Sequence, residues 1–135
     1  MSALLGLLLA SAPEIMTYDN ITSEVVFEND RVIAQHFVVN PGQTTGMHLH
    51  RCKQMEILLS TGKGLVIAPS PNGGAPHERL LDMKKGDLRF IEPSPERHEF
   101  RNVDSVPIEW MLVTLKGTCV TVEPVAADRP ASGQE

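Results

Sequence analysis

From Glu24 onward the chain is cut into short apolar or β-branched runs, each closed by a cluster of turn residues, and helical spacing is scarce. Runs of this length with a period near two read as strands, and their regular succession excludes a helical bundle. The expected strands are 24–27, 32–39, 44–50, 55–60, 64–68, 78–83, 88–91, 98–103, 108–115 and 119–122. Strands in that density predict an all-β chain of two packed sheets. The punctuation has a mechanism: Asn40-Pro41-Gly42 and Asn72-Gly73-Gly74 supply the fixed or positive φ that turns need, and Thr61 to Gly64 reads as a tight hairpin.

At 135 residues the chain is expected to form one domain, with a barrel core over about 24–122, an apolar segment at 2–13 and a tail at 123–135. Twelve basic against seventeen acidic residues leave a net charge of -5, with Lys84 and Lys85 the only basic doublet, so nucleic acid is excluded as a partner. The run Leu4 to Leu9 is too short to span a bilayer, which excludes a membrane role. No Lys or Arg precedes that run, so a docked turn or helix is expected there rather than a secretory signal, although Ala10-Ser11-Ala12 has the small residues of a cleavage site. Cys52 and Cys119 can pair but make no disulfide framework, and free thiols fit the expected cytoplasmic location. Cys52, between Arg51 and Lys53, is read as a small loop residue or as a thiol activated by its two cationic neighbours.

Within the expected strand 44–50, His48 and His50 stand two residues apart. Residues i and i+2 of a strand share a face about 6 to 7 Å apart, so two imidazole nitrogens can converge on one ion. A third imidazole, His98, lies in Pro-Ser-Pro-Glu-Arg-His. His36 and His77 are expected to be structural or solvated.

Two motifs in order, Gly42 with His48-Leu49-His50 and then Pro93 to Asn102 around His98, give the chain a resemblance to the cupin superfamily. Gly86-Asp87 before Leu88 fits the same pattern, and the resemblance runs from Val32 to Leu115. It implies a double-stranded β-helix, or jelly roll, holding one metal ion with histidines from both motifs. The chain departs from that pattern where a glutamate ordinarily follows the second histidine. Gln54 and Met55 occupy those places, and the carboxylate arrives at Glu56.

Parity leaves two registers open. If 54, 56 and 58 face inward, Gln54 and Glu56 line the cavity and either can join the ligand set; otherwise Met55, Ile57 and Leu59 form an inner apolar row. The expected substrate pocket comprises Met55, Arg89, Phe90, Phe100 and Trp110, with Met47, Met83 and Met111 among the aliphatic lining. Arg89 and Arg97 are solvated or hold an anionic substrate.

Three imidazoles on one divalent ion leave coordination positions open, as catalysis requires. The ligand types suit Fe(II), which is favoured, or Mn, Ni, Zn or Cu. The expected function is a metal-dependent enzyme on a small oxygenated organic molecule, foremost a non-haem iron dioxygenase, as the resemblance implies. The alternatives are a non-catalytic barrel for a small molecule or sugar and a Zn or Ni isomerase or lyase. Edge strands of so small a barrel need cover, which predicts a homodimer, with Leu4 to Leu9 packing across the interface.

Overall fold

The computed structural model describes residues 14–121. The apolar run 4–9 and the tail beyond residue 122 lie outside them. Eight strands form in chain order: β1 (Ser23–Glu28), β2 (Val32–Val39), β3 (Gln54–Leu58), β4 (Gly62–Ala68), β5 (His77–Met83), β6 (Leu88–Ile91), β7 (Glu99–Asn102) and β8 (Ile108–Leu115). All their pairings are antiparallel, in a five-stranded sheet ordered β1-β2-β8-β3-β6 and a three-stranded sheet ordered β5-β4-β7. This is the all-β jelly roll expected from the sequence.

Strict alternation builds the larger sheet. Along β2 the inward residues Ile33, Gln35, Phe37 and Val39 are buried, and along β8 so are Ile108, Trp110, Leu112 and Thr114. The two strands pair over eight residues in register, so their inner faces present one continuous wall. Phe100 and Met83 cross from the smaller sheet to meet it, and Met16, Tyr18 and Ile21 close the end from the segment before β1. Gly64 is required by this packing: a Cβ there would lie 2.0 Å from a ring carbon of Phe100.

Three expected elements differ. Residues 44–50 make only isolated bridges, Thr44 with Arg101 and His48 with His98, because Gly46 takes a φ of 82° and breaks the strand between them. Thr61 to Gly64 is no hairpin, since β3 pairs with β6 and β8 while β4 pairs with β5 and β7, and the turn carries the chain from one sheet to the other. Residues 119–121 are irregular, tied down by Val120 N–H on the Arg51 carbonyl (2.9 Å) and by a Cys52–Cys119 disulfide. A hairpin turn does form at Gly73, φ 75°, between the paired strands β4 and β5.

Asn102 explains how the second histidine motif ends. Its buried amide nitrogen donates to the Val39 and Val106 carbonyls, both at 2.8 Å, and its oxygen accepts from Asp104 N–H at 2.8 Å. One side chain thereby ties three segments together at the base of β7.

Candidate metal centre

The segment carrying His48 and His50 is held by its backbone. His48 and His98 exchange both N–H···O=C bonds at 2.9 Å, so a ligand from each motif is fixed to the other before any side chain is considered. Ser94 N–H donates to the His50 carbonyl at 3.0 Å, and Leu115 N–H to the Lys53 carbonyl at 3.0 Å. The disulfide at Cys52, two residues beyond His50, adds a covalent tether to the segment after β8. Cys52 is therefore not a reactive thiol, and free thiols no longer support a cytoplasmic location.

The three rings meet. Centroids of His48 and His98 are 4.5 Å apart, and His50 lies 5.2 Å from each. Each ring has one nitrogen committed to a fixed acceptor. His48 Nδ1–H donates to the Gly46 carbonyl at 2.8 Å and His50 Nδ1–H to Gln54 Oε1 at 2.7 Å, while the Glu96 carbonyl accepts from His98. In His48 and His50 this leaves the Nε2 lone pair to face the cluster, an arrangement typical of metal-bound imidazoles.

Burial makes the rings poor bases. It is the main cause in all three: His48 falls from 6.5 to about 3, His98 from 6.5 to about 4, and His50 is lowered too. The carbonyls of Gly46 and Glu96 and the Gln54 amide oppose the fall, while neighbouring imidazoles and arginines add to it at His48 and His98. Neutral imidazole is the form that binds a metal. The donor atoms lie within 4.8 Å of one another, so shifts of less than about 1 Å bring all three onto an ion at the usual bond length. The donor set therefore fits a divalent cation.

β3 adopts the register in which 54, 56 and 58 face inward. Gln54 is buried and bridges His50 to Thr114, its amide nitrogen donating to Thr114 Oγ1 at 3.0 Å. Glu56 is buried too, but Arg89 holds it: Nε (3.1 Å) and Nη2 both donate to Oε1. Glu56 does not belong to the convergent donor set, which among the described His, Cys, Asp and Glu residues consists of the three histidines, and Gln54 commits its oxygen to His50 Nδ1–H. Met55, with Ile57, turns to the opposite face, so the inner apolar row does not form and Met55 does not line the cavity.

The cluster opens on a cavity of about 500 Å³, lined by Tyr18, Val66, Met83, Phe100 and Trp110 on its apolar side and by Arg79, Arg89 and Arg97 on its charged side. That volume suits a small organic molecule. Of the expected pocket, Arg89, Phe90, Phe100 and Trp110 line it, but Phe90 is 63% exposed and stands at the rim. Among the other methionines only Met83 reaches it. His36 bonds Glu109 on the outer face (3.3 Å), and His77 is exposed at the rim.

Sequence reasoning missed Tyr18 and Arg79. Tyr18 is buried edge-on against His48 (4.6 Å) and Phe37 (4.8 Å), and burial, then the Glu56 charge, pushes its phenol upward. It precedes the first strand and carries no local motif. Arg79 shares the inward parity of Met83 on β5, a signal that was legible.

No family model matches the chain, and no curated protein sequence matches it. Solved structures do. A cupin domain from Bordetella pertussis Tohama I is similar over 76% of this chain and 99% of its own, at 20% identity and a TM-score of 0.60. A protein with a double-stranded β-helix domain from Klebsiella pneumoniae is similar over 78% and 85%, at 20% identity and a TM-score of 0.55. A cupin 2 conserved barrel domain protein from Salinispora arenicola is similar over 86% and 92%, at 19% identity and a TM-score of 0.53. Identities at this level establish architecture and leave chemistry to the site. The strand order, the facing sheets and these likenesses together give the chain the cupin fold, a double-stranded β-helix with three histidines gathered on its cavity wall.

Proposed function

We propose that the protein is a metal-dependent enzyme whose centre is held by His48, His50 and His98 and which acts on a small oxygenated organic molecule by a non-haem iron, dioxygenase-type reaction. The observation that carries this reading is the convergence of three neutral imidazoles on the wall of an open cavity, with the outer nitrogens of His48 and His50 engaged by Gly46 and Gln54. Bound Fe(II), with positions left open by three protein ligands, would supply a place for a chelating substrate and dioxygen together. Mn, Ni, Zn and Cu suit the same nitrogen donors.

The chain's own part is to hold and shield. Gln54, anchored on Thr114, keeps the His50 proton on Nδ1, and Gly46 does the same for His48. Trp110, Phe100, Tyr18 and Met83 keep water from the inner wall. Glu56 is the cavity's buried carboxylate, and both arginine donors fall on its Oε1, so Oε2 can take up a proton released by substrate. That free oxygen also favours a second reading, a Zn or Ni isomerase or lyase that needs no dioxygen.

Metal analysis of the purified protein, followed by oxygen-uptake assays with diketones and catechols, tests the proposal. Bound iron with uptake that disappears in His48→Ala is the expected result. Turnover that persists under strict anaerobiosis moves the chain to the second reading, and absence of any retained metal leaves only a ligand-binding barrel.

We also propose a homodimer. Val25, Val26 and Phe27 on the edge strand β1 are 45%, 46% and 55% exposed, an apolar strip that a second copy would cover. A monomer at micromolar concentration in light scattering is the contrary result.

A further inference from the structure

Two guanidiniums flank the histidine cluster from different sheets. Arg79 is on β5 of the three-stranded sheet, and Arg89 is on β6 at the edge of the five-stranded one. Both line the cavity. Arg79 makes no hydrogen bond and no ion pair among the described residues. Arg89 sits directly opposite Glu56 in the β3–β6 ladder and spends Nε and Nη2 on one oxygen of that carboxylate. Its Nη1 has no partner among the described residues, so Glu56 anchors the guanidinium by one edge and leaves the other to face outward. The two arginines also share a target, since both bear electrostatically on the His98 ring.

A guanidinium edge donates two parallel hydrogen bonds to a planar carboxylate, and such charge-assisted pairs are the strong ones. Arg97 and the carboxylates Glu56, Glu78 and Glu96 also line the cavity; Glu56 faces inward and is paired with Arg89, while Glu78 and Glu96 are exposed at the rim, as Arg79 and Arg89 are. Arg79 is thus a cavity-lining guanidinium without a hydrogen bond or ion pair among the described residues. We propose that Arg79 and Arg89 form a carboxylate clamp across the mouth of the cavity, so that the substrate is a small carboxylate-bearing molecule with its opposite end at the histidines. The position of that opposite end rests on the metal-centre reading; the clamp does not. Glu56 is a positioning residue for Arg89 in this arrangement.

Malonate and its neutral analogue malonamide are the probes, titrated into Co(II)-loaded and metal-stripped full-length protein. The variants are Arg79→Met and the pair Arg89→Met with Glu56→Gln, the second chosen because removing Arg89 alone strands a buried carboxylate. Each variant is expected to weaken malonate by at least about tenfold, the loss of one charge-assisted contact, and to weaken malonamide several-fold less, since its neutral amides lack the charge-assisted part. The Co(II) visible absorption should stay as in the unaltered protein. An unaltered malonate affinity in both variants, with the Co(II) spectrum intact, overturns the clamp and leaves the metal centre standing. Failure to hold Co(II), with malonate still bound to the stripped protein and lost in both variants, retains the clamp and removes the metal centre.

Discussion

β2 and β8 form one wall of the barrel and β5 and β6 its mouth, and the two pairs obey different rules. In the wall every second residue is buried, the register is unbroken over eight pairs, and Phe37 stacks on Trp110 with centroids 5.7 Å apart. At the mouth β6 has no buried residue and β5 only Met83, while Leu80, Leu88 and Phe90 are more than half exposed. Arginine replaces apolar side chains at the inward positions 79 and 89. The wall spends its sequence on stability, and by the proposed clamp the mouth serves recognition. Changes in the wall should therefore move unfolding and leave binding, and changes at the mouth the reverse.

Phe37→Ala tests that division hardest. The side chain is fully buried against Tyr18 and Trp110, so truncation opens a cavity that the paired strands cannot collapse into. A loss of about 3–5 kcal/mol in urea unfolding is expected, with an unchanged denaturant slope. A loss below about 1 kcal/mol would mean that the wall is as yielding as the mouth.

Acid should act on the other region. In the unfolded chain the three histidines take a proton near 6.5, but in the folded protein burial holds His48 to about 3 and His98 to about 4, with His50 lowered as well. Between those values the unfolded state binds more protons than the folded one, so stability rises with pH. The metal-free protein should be fully stable above about pH 6.5 and lose stability steadily as pH falls toward about 4. Replacing the three histidines by glutamine should flatten that slope; a slope that survives the replacement would place its origin elsewhere.

How far the sequence could be read follows the same division. In β2 and β8 the alternation is dense enough to fix boundaries to the residue, because both faces of that sheet are specified by burial. The three histidines could be picked out because the motifs around them carry the turns that deliver them. The roles of Gln54 and Glu56 could not, since parity admits both registers. Only the pairing of Gln54 with Thr114 and of Glu56 with Arg89 across the sheet selects one. Tyr18 was out of reach because a loop residue's burial depends on segments far along the chain. The hairpin assigned to residues 61–64 failed because turn chemistry reports a reversal, and which sheet the next strand joins is decided by packing.

Gln54 lies where wall and mouth meet, and its replacement separates two roles. Gln54→Ala removes the acceptor that fixes the His50 tautomer and the donor that satisfies Thr114. Metal affinity should fall about 10–100-fold, the usual effect of losing a partner that orients a ligand. Gln54→Glu should restore the acceptor and recover most of that affinity, measured by competition with a chelator of known strength. Equal losses in both variants would show that volume matters at this position and hydrogen bonding does not.

The smallest effect is expected at Trp110, and it is informative because two terms of opposite sign meet there. The indole is buried, stacked on Phe37 and edge-on to Phe100 at 5.6 Å, so Trp110→Phe loses packing volume in the wall. Its Nε1–H, however, is buried without an acceptor, an unsatisfied donor that the phenyl ring abolishes. Removing such a donor returns about 1–3 kcal/mol, comparable to the packing lost with the smaller ring, so the net change in unfolding free energy should stay within about 1 kcal/mol. A loss well beyond that in the free protein would mean that the indole N–H has a hydrogen-bond acceptor. A loss confined to ligand-loaded protein would identify that acceptor as an atom of the bound molecule, which would make this wall residue part of the recognition surface.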